Sequence, residues 1–210
     1  MEKTIYILGV GHNTIVTIEL AEACGYTVGG LFHYQEGRTG DNYFGHTITG
    51  TTADLLNGDI TGKNFALSMG DNEVRYRLFE QITSKGGHVP SLIHPLASFS
   101  CHSKWQEGVQ ALQYAIVDPD VEIGSNTILS AHSIVHHSSQ VGSHCFVAAG
   151  VIVGAYTTIE DNVFIGSNAT LVSGKAQHVG HHATVGAASV VTRPVEAFDV
   201  VMGIPARSRR

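Results

Sequence analysis

The sequence predicts two folds in succession, a small α/β unit built on a parallel sheet and then a parallel β-helix. From Val117 onward an aliphatic residue recurs every six positions through ten successive hits: Val117, Ile123, Leu129, Val135, Val141, Val147, Val153, Ile159, Ile165 and Leu171. Upstream of His94 and Pro95 the pattern changes to short apolar runs alternating with amphipathic stretches. At 210 residues and 43% hydrophobic the chain has room for two small cores.

A period of six matches neither the helix nor the extended strand. It is the signature of a hexapeptide-repeat β-helix, with one short strand per hexad and three hexads per coil. The aliphatic anchor points inward, and the fifth place of each hexad is small or β-branched: Thr127, Ser133, Ser139, Cys145, Val151, Thr157, Val163, Ala169. Glycine follows the anchor at 124, 142, 154 and 166, where it is expected to relieve the corner. The rhythm slips by two at LVSGKAQH and resumes at Val179, Val185 and Val191. Leu96 to Ile116 is expected to form an irregular first coil. After Pro194 the chain leaves the rhythm and turns at Gly203-Ile204-Pro205, which reads as a cap, with Arg193 and Arg207 as candidate anion contacts.

The first half reads as TIYILGVG, a strand ending in glycines, then NTIVTIELAEAC, a helix with Asn13 as N-cap and Gly25 as its stop. TVGGLF is a second strand, TTADLL a short capped helix, NFALSM a third strand and NEVRYRLFEQITSK a helix ended by Gly86 and Gly87. Alternation of this kind implies right-handed βαβ units, a Rossmann-like arrangement. The division is expected between residues 1–95 and 96–210.

A net charge of −6 with only 14% charged residues excludes the basic surface that nucleic acid requires. Three scattered cysteines form no disulfide framework, no run approaches a membrane span, and the N-terminal apolar run is too short for a signal peptide. A soluble, cytoplasmic protein without membrane insertion is expected.

Ligands of an open α/β sheet sit beyond the carboxyl ends of its strands. Two loops qualify: Gly9-Val10-Gly11-His12, and Gly70-Asp71-Asn72 with Arg75 one turn on. Their glycines let a phosphate approach the backbone, although a plain tight turn explains them equally well. The dinucleotide fingerprint is incomplete, since Thr14 takes the third glycine position and strand two ends in Phe32-His33-Tyr34 without an acid; NAD is not expected. Thirteen histidines draw the eye to His132, His136, His137 and His144, and to His178, His181 and His182. Most must be ordinary surface residues, and His136, His137, His144, His181 and His182 are expected on the outer face. Imidazole titrates near neutral pH, so one of them is suited to act as a general base. His132 and His137 are one possible metal pair, but no third ligand stands at a useful spacing, so no metal is expected. Cys145 points inward and is expected to pack in the core.

Over Thr4 to Arg207 the sequence resembles the hexapeptide sugar acyltransferases grouped with sialic-acid O-acetyltransferases and bacillosamine-pathway nucleotide-aminosugar N-acetyltransferases. ILGVGHN, MGDNEVRYRLFEQI, LIHPLASFS, IVDPDVEIGSNTIL, IVHHSSQVG, VGAASVVTRPV and GIPAR carry the likeness. The resemblance implies a left-handed β-helix and a homotrimer with active sites between adjacent β-helices. It implies acetyl-CoA as donor and a nucleotide-linked amino sugar, or a sialic-acid-like sugar, as acceptor of an acetyl group on nitrogen or oxygen. Alignment on Gly142 makes His137 the general base, with Ser138 where the family commonly has an acid. The acceptor would meet Gly9, Val10, Gly11, His12, His33, Tyr34, Gly70, Asp71 and Asn72. CoA would run along Phe146, Gly154, Ala155, Gly166, Ser167 and Ala187. Phe146 stands in place of a common histidine, Ser130 in place of an Asn, Ile204 in place of the Asn of the terminal turn, and the insertion near Lys175 is atypical. Two rival readings are a non-catalytic trimeric nucleotide-sugar binding protein, motivated by Ser138 and Phe146, and a γ-class carbonic-anhydrase-like metalloenzyme.

Overall fold

The computed structural model describes residues 3–209, and the chain divides into two compact units, Met1–Leu92 and Ile93–Arg210. In the first unit, β1 (Lys3–Leu8), β2 (Tyr26–His33), β3 (Asn42–Tyr43), β4 (His46–Thr51) and β5 (Asn64–Leu67) form one sheet in the order β3-β4-β2-β1-β5. The β1–β2, β1–β5 and β2–β4 pairs are parallel, and β3–β4 is an antiparallel hairpin that the sequence pattern did not reveal. Ile5, Ile7, Leu8, Leu31 and Leu67 are fully buried, as expected where a parallel sheet is covered on both faces.

Helices α1 (Thr14–Ala23), α2 (Thr52–Asn57) and α3 (Asn72–Ser84) connect the strands. Thr51 and Asp71 cap α2 and α3 by accepting the backbone N–H groups of Asp54 and Val74. Asn13 stands at the expected cap of α1, but its backbone is already helical and its side chain caps nothing. Thr14, the first residue of α1, turns its Oγ1 back to the loop and accepts the N–H of Gly11 at 2.8 Å.

The second unit is a parallel β-helix of two-residue strands. The first sheet begins at Leu92–Ile93 and passes through Gln110–Ala111, Ile128–Leu129, Phe146–Val147, Phe164–Ile165 and Thr184–Val185 to the terminal hairpin. The second runs from Ser98–Phe99 through Ile134–Val135 to Val190–Val191, and the third from Lys104–Trp105 to His178–Val179. Every anchor from Val117 to Val191 is at most 2% exposed, and so are the fifth-place residues from Thr127 to Ala169. Parallel sheets built from hexapeptide repeats fit a left-handed β-helix.

Two expectations need correction here. The coil through Phe99, Trp105 and Ala111 pairs in regular register with the next coil rather than forming an irregular cap; aromatic and alanine anchors without glycine hid it. The glycine after the anchor does not relieve the corner either. The left-handed residue is the fourth of the hexad, with φ between 54° and 61° at Asp120, Asn126, His132, Ser138, His144, Tyr156, Asn162 and Asn168. Glycine after the anchor answers crowding between coils: a Cβ on Gly124 would stand 2.5 Å from the Gly142 carbonyl carbon, and one on Gly166 would stand 2.6 Å from the Ala187 nitrogen.

Candidate active site

In the first unit, Gly9 to Asn13, His33, Tyr34 and Gly70 line one cavity of about 660 Å³. Ser68 ties its two loops together, with its Oγ donating to the carbonyl of Leu8 or Gly9 and lying 3.1 Å from Thr14 Oγ1. The left-handed backbone of Gly9 (φ +93°) makes the turn. The N–H of Gly9 donates to Phe32 O and that of Gly11 to Thr14, so neither glycine amide is left for a phosphate. His33 is buried and its Nδ1 accepts the Gln35 N–H, while Tyr34 is 77% exposed and packs its ring at 4.4 Å from that of His33.

Asp71 and Asn72 are not among the lining residues. Asp71 caps α3, and Asn72 Oδ1 accepts from Arg75, whose fully buried guanidinium also donates to Met69 O. Arg75 is therefore a structural cation. The α3 face that does line the cavity carries Val74, Arg77, Leu78 and Gln81, one stripe at helical spacing that sequence reading missed and that the i, i+3, i+4, i+7 pattern would have given. Among the described residues no carboxylate lines the cavity and Arg77 is its one Arg or Lys, with its Nε donating to Glu73 Oε1 at 3.1 Å outside the lining. Tyr43, on the unforeseen hairpin, donates its hydroxyl to Gly11 O at 2.9 Å.

In the second unit, His136 and His137 leave the second sheet at its corner with the third. His137 is exposed, with its ring edge-to-face against Tyr156 at 5.1 Å and its Nδ1 3.5 Å from Ser138 Oγ. His136 has the carboxylate: its Nδ1 lies 2.9 Å from Asp118 Oδ2, one coil earlier. His132 lies on the corner after the first sheet, stacked on Tyr114, so it does not pair with His137. His144 is only 8% exposed, with Nδ1 3.0 Å from Asn126 Nδ2. It is not an outer-face histidine: it lies against Asn126, the fully buried residue one coil earlier. On the corner after the third sheet, the His181 ring, the His181 N–H and the His178 ring bond to Glu160 and hold its carboxyl down at about 2. Among the described residues no three His, Cys, Asp or Glu converge to hold a metal ion.

The residues expected along CoA fall into two groups. Gly154 and Ala155 stand one coil beyond His136 and His137 on the same corner. Gly166, Ser167 and Ala187 stand on the corner after the first sheet, and Phe146 on the face of that sheet, its ring 5.5 Å from that of Phe164. The third residue of each hexad turns its N–H out of the ladder, and side chains cap several of these: on the corner after the third sheet Gln106 caps Ser125, Asp161 caps Ser143 and Glu160 caps His181, and on the corner of His137 Ser173 caps Ala155. Among the described residues no such cap covers Ala131, Ala149, Ser167 or Ala187, all on the corner after the first sheet.

Residues 120–155 and 156–193 match the family described as the hexapeptide repeat of succinyl-transferase. The chain is 30% identical over 118 residues to the GDP-perosamine N-acetyltransferase of Escherichia coli O157:H7, covering 53% of this chain and 51% of that one. It thus spans about half the length of the curated relatives it matches. Among solved structures it is similar to the acetyltransferase domain of PglB from Neisseria gonorrhoeae FA1090, with 25% identity, a TM-score of 0.89, and coverage of 99% of this chain and 100% of that one. That domain has also been solved with acetyl coenzyme A. A mutant of perosamine N-acetyltransferase from Caulobacter crescentus, in complex with CoA and GDP-perosamine, shares the fold at 24% identity and a TM-score of 0.77, covering 99% and 97% of the two chains.

Proposed function

We propose that this protein is an acetyl-CoA-dependent sugar acetyltransferase acting on the amino group of a nucleotide-linked sugar, a hydroxyl acceptor being the variant reading. The observation that carries the reading is the likeness of both units together, over 99% of the chain, to an acetyltransferase domain. The Rossmann-like first unit binds the nucleotide part of the acceptor in the cavity floored by Val74 and Leu78, with Tyr34 at its rim and Arg77 for phosphate charge. The β-helix carries the transfer chemistry. His137 takes the proton from the attacking nitrogen as the N–C bond forms and the C–S bond breaks, leaving CoA as thiolate. Backbone N–H groups stabilise the oxyanion, and no covalent enzyme intermediate is required.

We further propose a left-handed coil, a homotrimer and a cytoplasmic location, where activated sugars and acetyl-CoA are made. The faces of the β-helix favour the trimer. The first sheet presents Phe146, Phe164, Thr184 and Val200 outward, with Ile128 buried, and the second presents Ser98, Ile116, Ile134, Ile152, Thr170 and Val190, whereas the third presents Lys104, Glu122, Gln140, Thr158 and His178. Two apolar faces out of three are what self-association covers. The separation of His137 from the open amides of Ser167 and Ala187 has the same consequence, because one copy would supply the base and its neighbour the donor track.

Incubation with acetyl-CoA and a panel of nucleotide-linked amino sugars tests the function, with release of free thiol and an acetylated sugar by mass as the expected result. Saturable binding of the sugars without turnover would instead favour the non-catalytic binding protein.

A further inference from the structure

The loop of residues 172–177 is the one insertion in the hexad rhythm, and it stands on the corner that carries His137. Strand register runs Val135, Val153, Leu171, Val191 along the second sheet, so His137, Ala155, Ser173 and Arg193 form one column, each two residues beyond its anchor. With coils about 4.8 Å apart, the loop lies roughly 10 Å along the axis from His137. It is held firmly. The N–H groups of Lys175 and Ala176 both donate to Val172 O, Ala176 is buried, Gly174 takes a left-handed turn at φ +71°, and Ser173 Oγ accepts the Ala155 N–H. Ser173, Gly174 and Lys175 are left exposed at the tip.

Cations are scarce on this unit, and Lys104 is already paired with Glu122. Among the described residues neither Lys175 nor Arg193 is in an ion pair, so the column runs from an exposed imidazole to two unpaired cations. The capping of Ala155 by Ser173 has a further consequence: the backbone at 155 cannot serve the donor, whereas the loop that covers it can.

Resting on the acyltransferase reading, we propose that the insertion loop is an anchor for the donor's phosphates, with Lys175 as the specificity-determining contact that distinguishes acetyl-CoA from a phosphate-free thioester. A lysine fixed on a short, tied loop meets phosphate as a point charge without ordering a long segment. It binds ground and transition states alike and so acts on KM.

Steady-state rates of Lys175→Ala and Lys175→Arg with acetyl-CoA and with S-acetyl-pantetheine, which lacks the phosphates, test the assignment. Lys175→Ala should raise the KM for acetyl-CoA about fivefold with kcat within twofold, Lys175→Arg should restore most of it, and the KM for S-acetyl-pantetheine should not change. An unchanged KM for acetyl-CoA, or an equal rise with both donors, overturns the proposal. A wild-type protein that neither binds CoA nor transfers acetyl overturns the acyltransferase reading and this inference with it.

Discussion

The corner after the first sheet and the corner after the second are built on the same six-residue template, yet they offer different groups to a ligand. The second corner presents side chains: His136 against Asp118, His137 against Tyr156, and the Lys175 loop beyond them. The first presents backbone: uncapped amides at Ala131, Ala149, Ser167 and Ala187 flanked by small residues. A β-helix fixes where the third-place N–H points, and the neighbouring side chains decide whether that group is spent or left for a ligand. On the proposed acetyltransferase reading, catalysis needs both kinds of corner, one for a base and one for a thioester donor.

The largest expected effect removes the base. His137→Ala should lower kcat for acetyl transfer by about 100-fold or more, while His136→Ala, whose ring is held by Asp118, should stay within about threefold; equal losses would erase the distinction between the paired and the unpaired imidazole. Gly166→Val should cost about 3 kcal/mol in thermal or denaturant unfolding, because its side chain would meet Ala187 backbone that cannot move aside. Ser167→Pro should leave Tm unchanged, since Pro95 and Pro119 already occupy the same place in other hexads, yet raise the KM for acetyl-CoA up to about tenfold by deleting one open amide.

The smallest effect concerns the capped corner. Hydrogen bonds from His181 and His178 hold the Glu160 carboxyl at about 2 against an ordinary 4.5. A depressed carboxylate contributes stability above its unfolded pKa and loses it as pH falls toward the folded one. The Tm difference between wild type and Glu160→Gln should thus be full above pH 4.5 and shrink toward pH 2. For so exposed a group it should amount to about 1–3 °C.

Much of this was legible in the sequence, for physical reasons. The narrow axis of the coil accepts only aliphatic anchors and small partners, so period six survives from Val117 to Leu171. It fades over Phe99, Trp105 and Ala111, where aromatic and alanine anchors replace the aliphatic ones and Trp105 is 43% exposed. His144 looked like an outer residue because it lies outside the inward first and fifth places of its hexad, whereas it is buried against Asn126 one coil earlier. Gly154 and Gly166 share a residue type but are twelve positions apart, two thirds of a coil, which puts them on different corners; only residues one full coil apart stack. In the first unit the glycine loops were found by their turn chemistry, while Asp71 caps α3 and Asn72 accepts from Arg75, contacts that the sequence pattern did not show. The hairpin bearing Tyr43 escaped sequence reading because β3 has only two residues and β4, HTITGT, buries only Ile48 and Thr51.

The claim that the two corners work across copies has a direct test in mixed assemblies. His137→Ala and Ala187→Trp, each inactive alone, are unfolded together in equal amounts, refolded and assayed for acetyl transfer. If base and donor track come from different copies of a cyclic trimer, a site is intact when each independently supplied half is wild type, so about a quarter of wild-type activity should return. No recovery in properly assembled mixtures would mean that both halves belong to one chain, and would contradict the account.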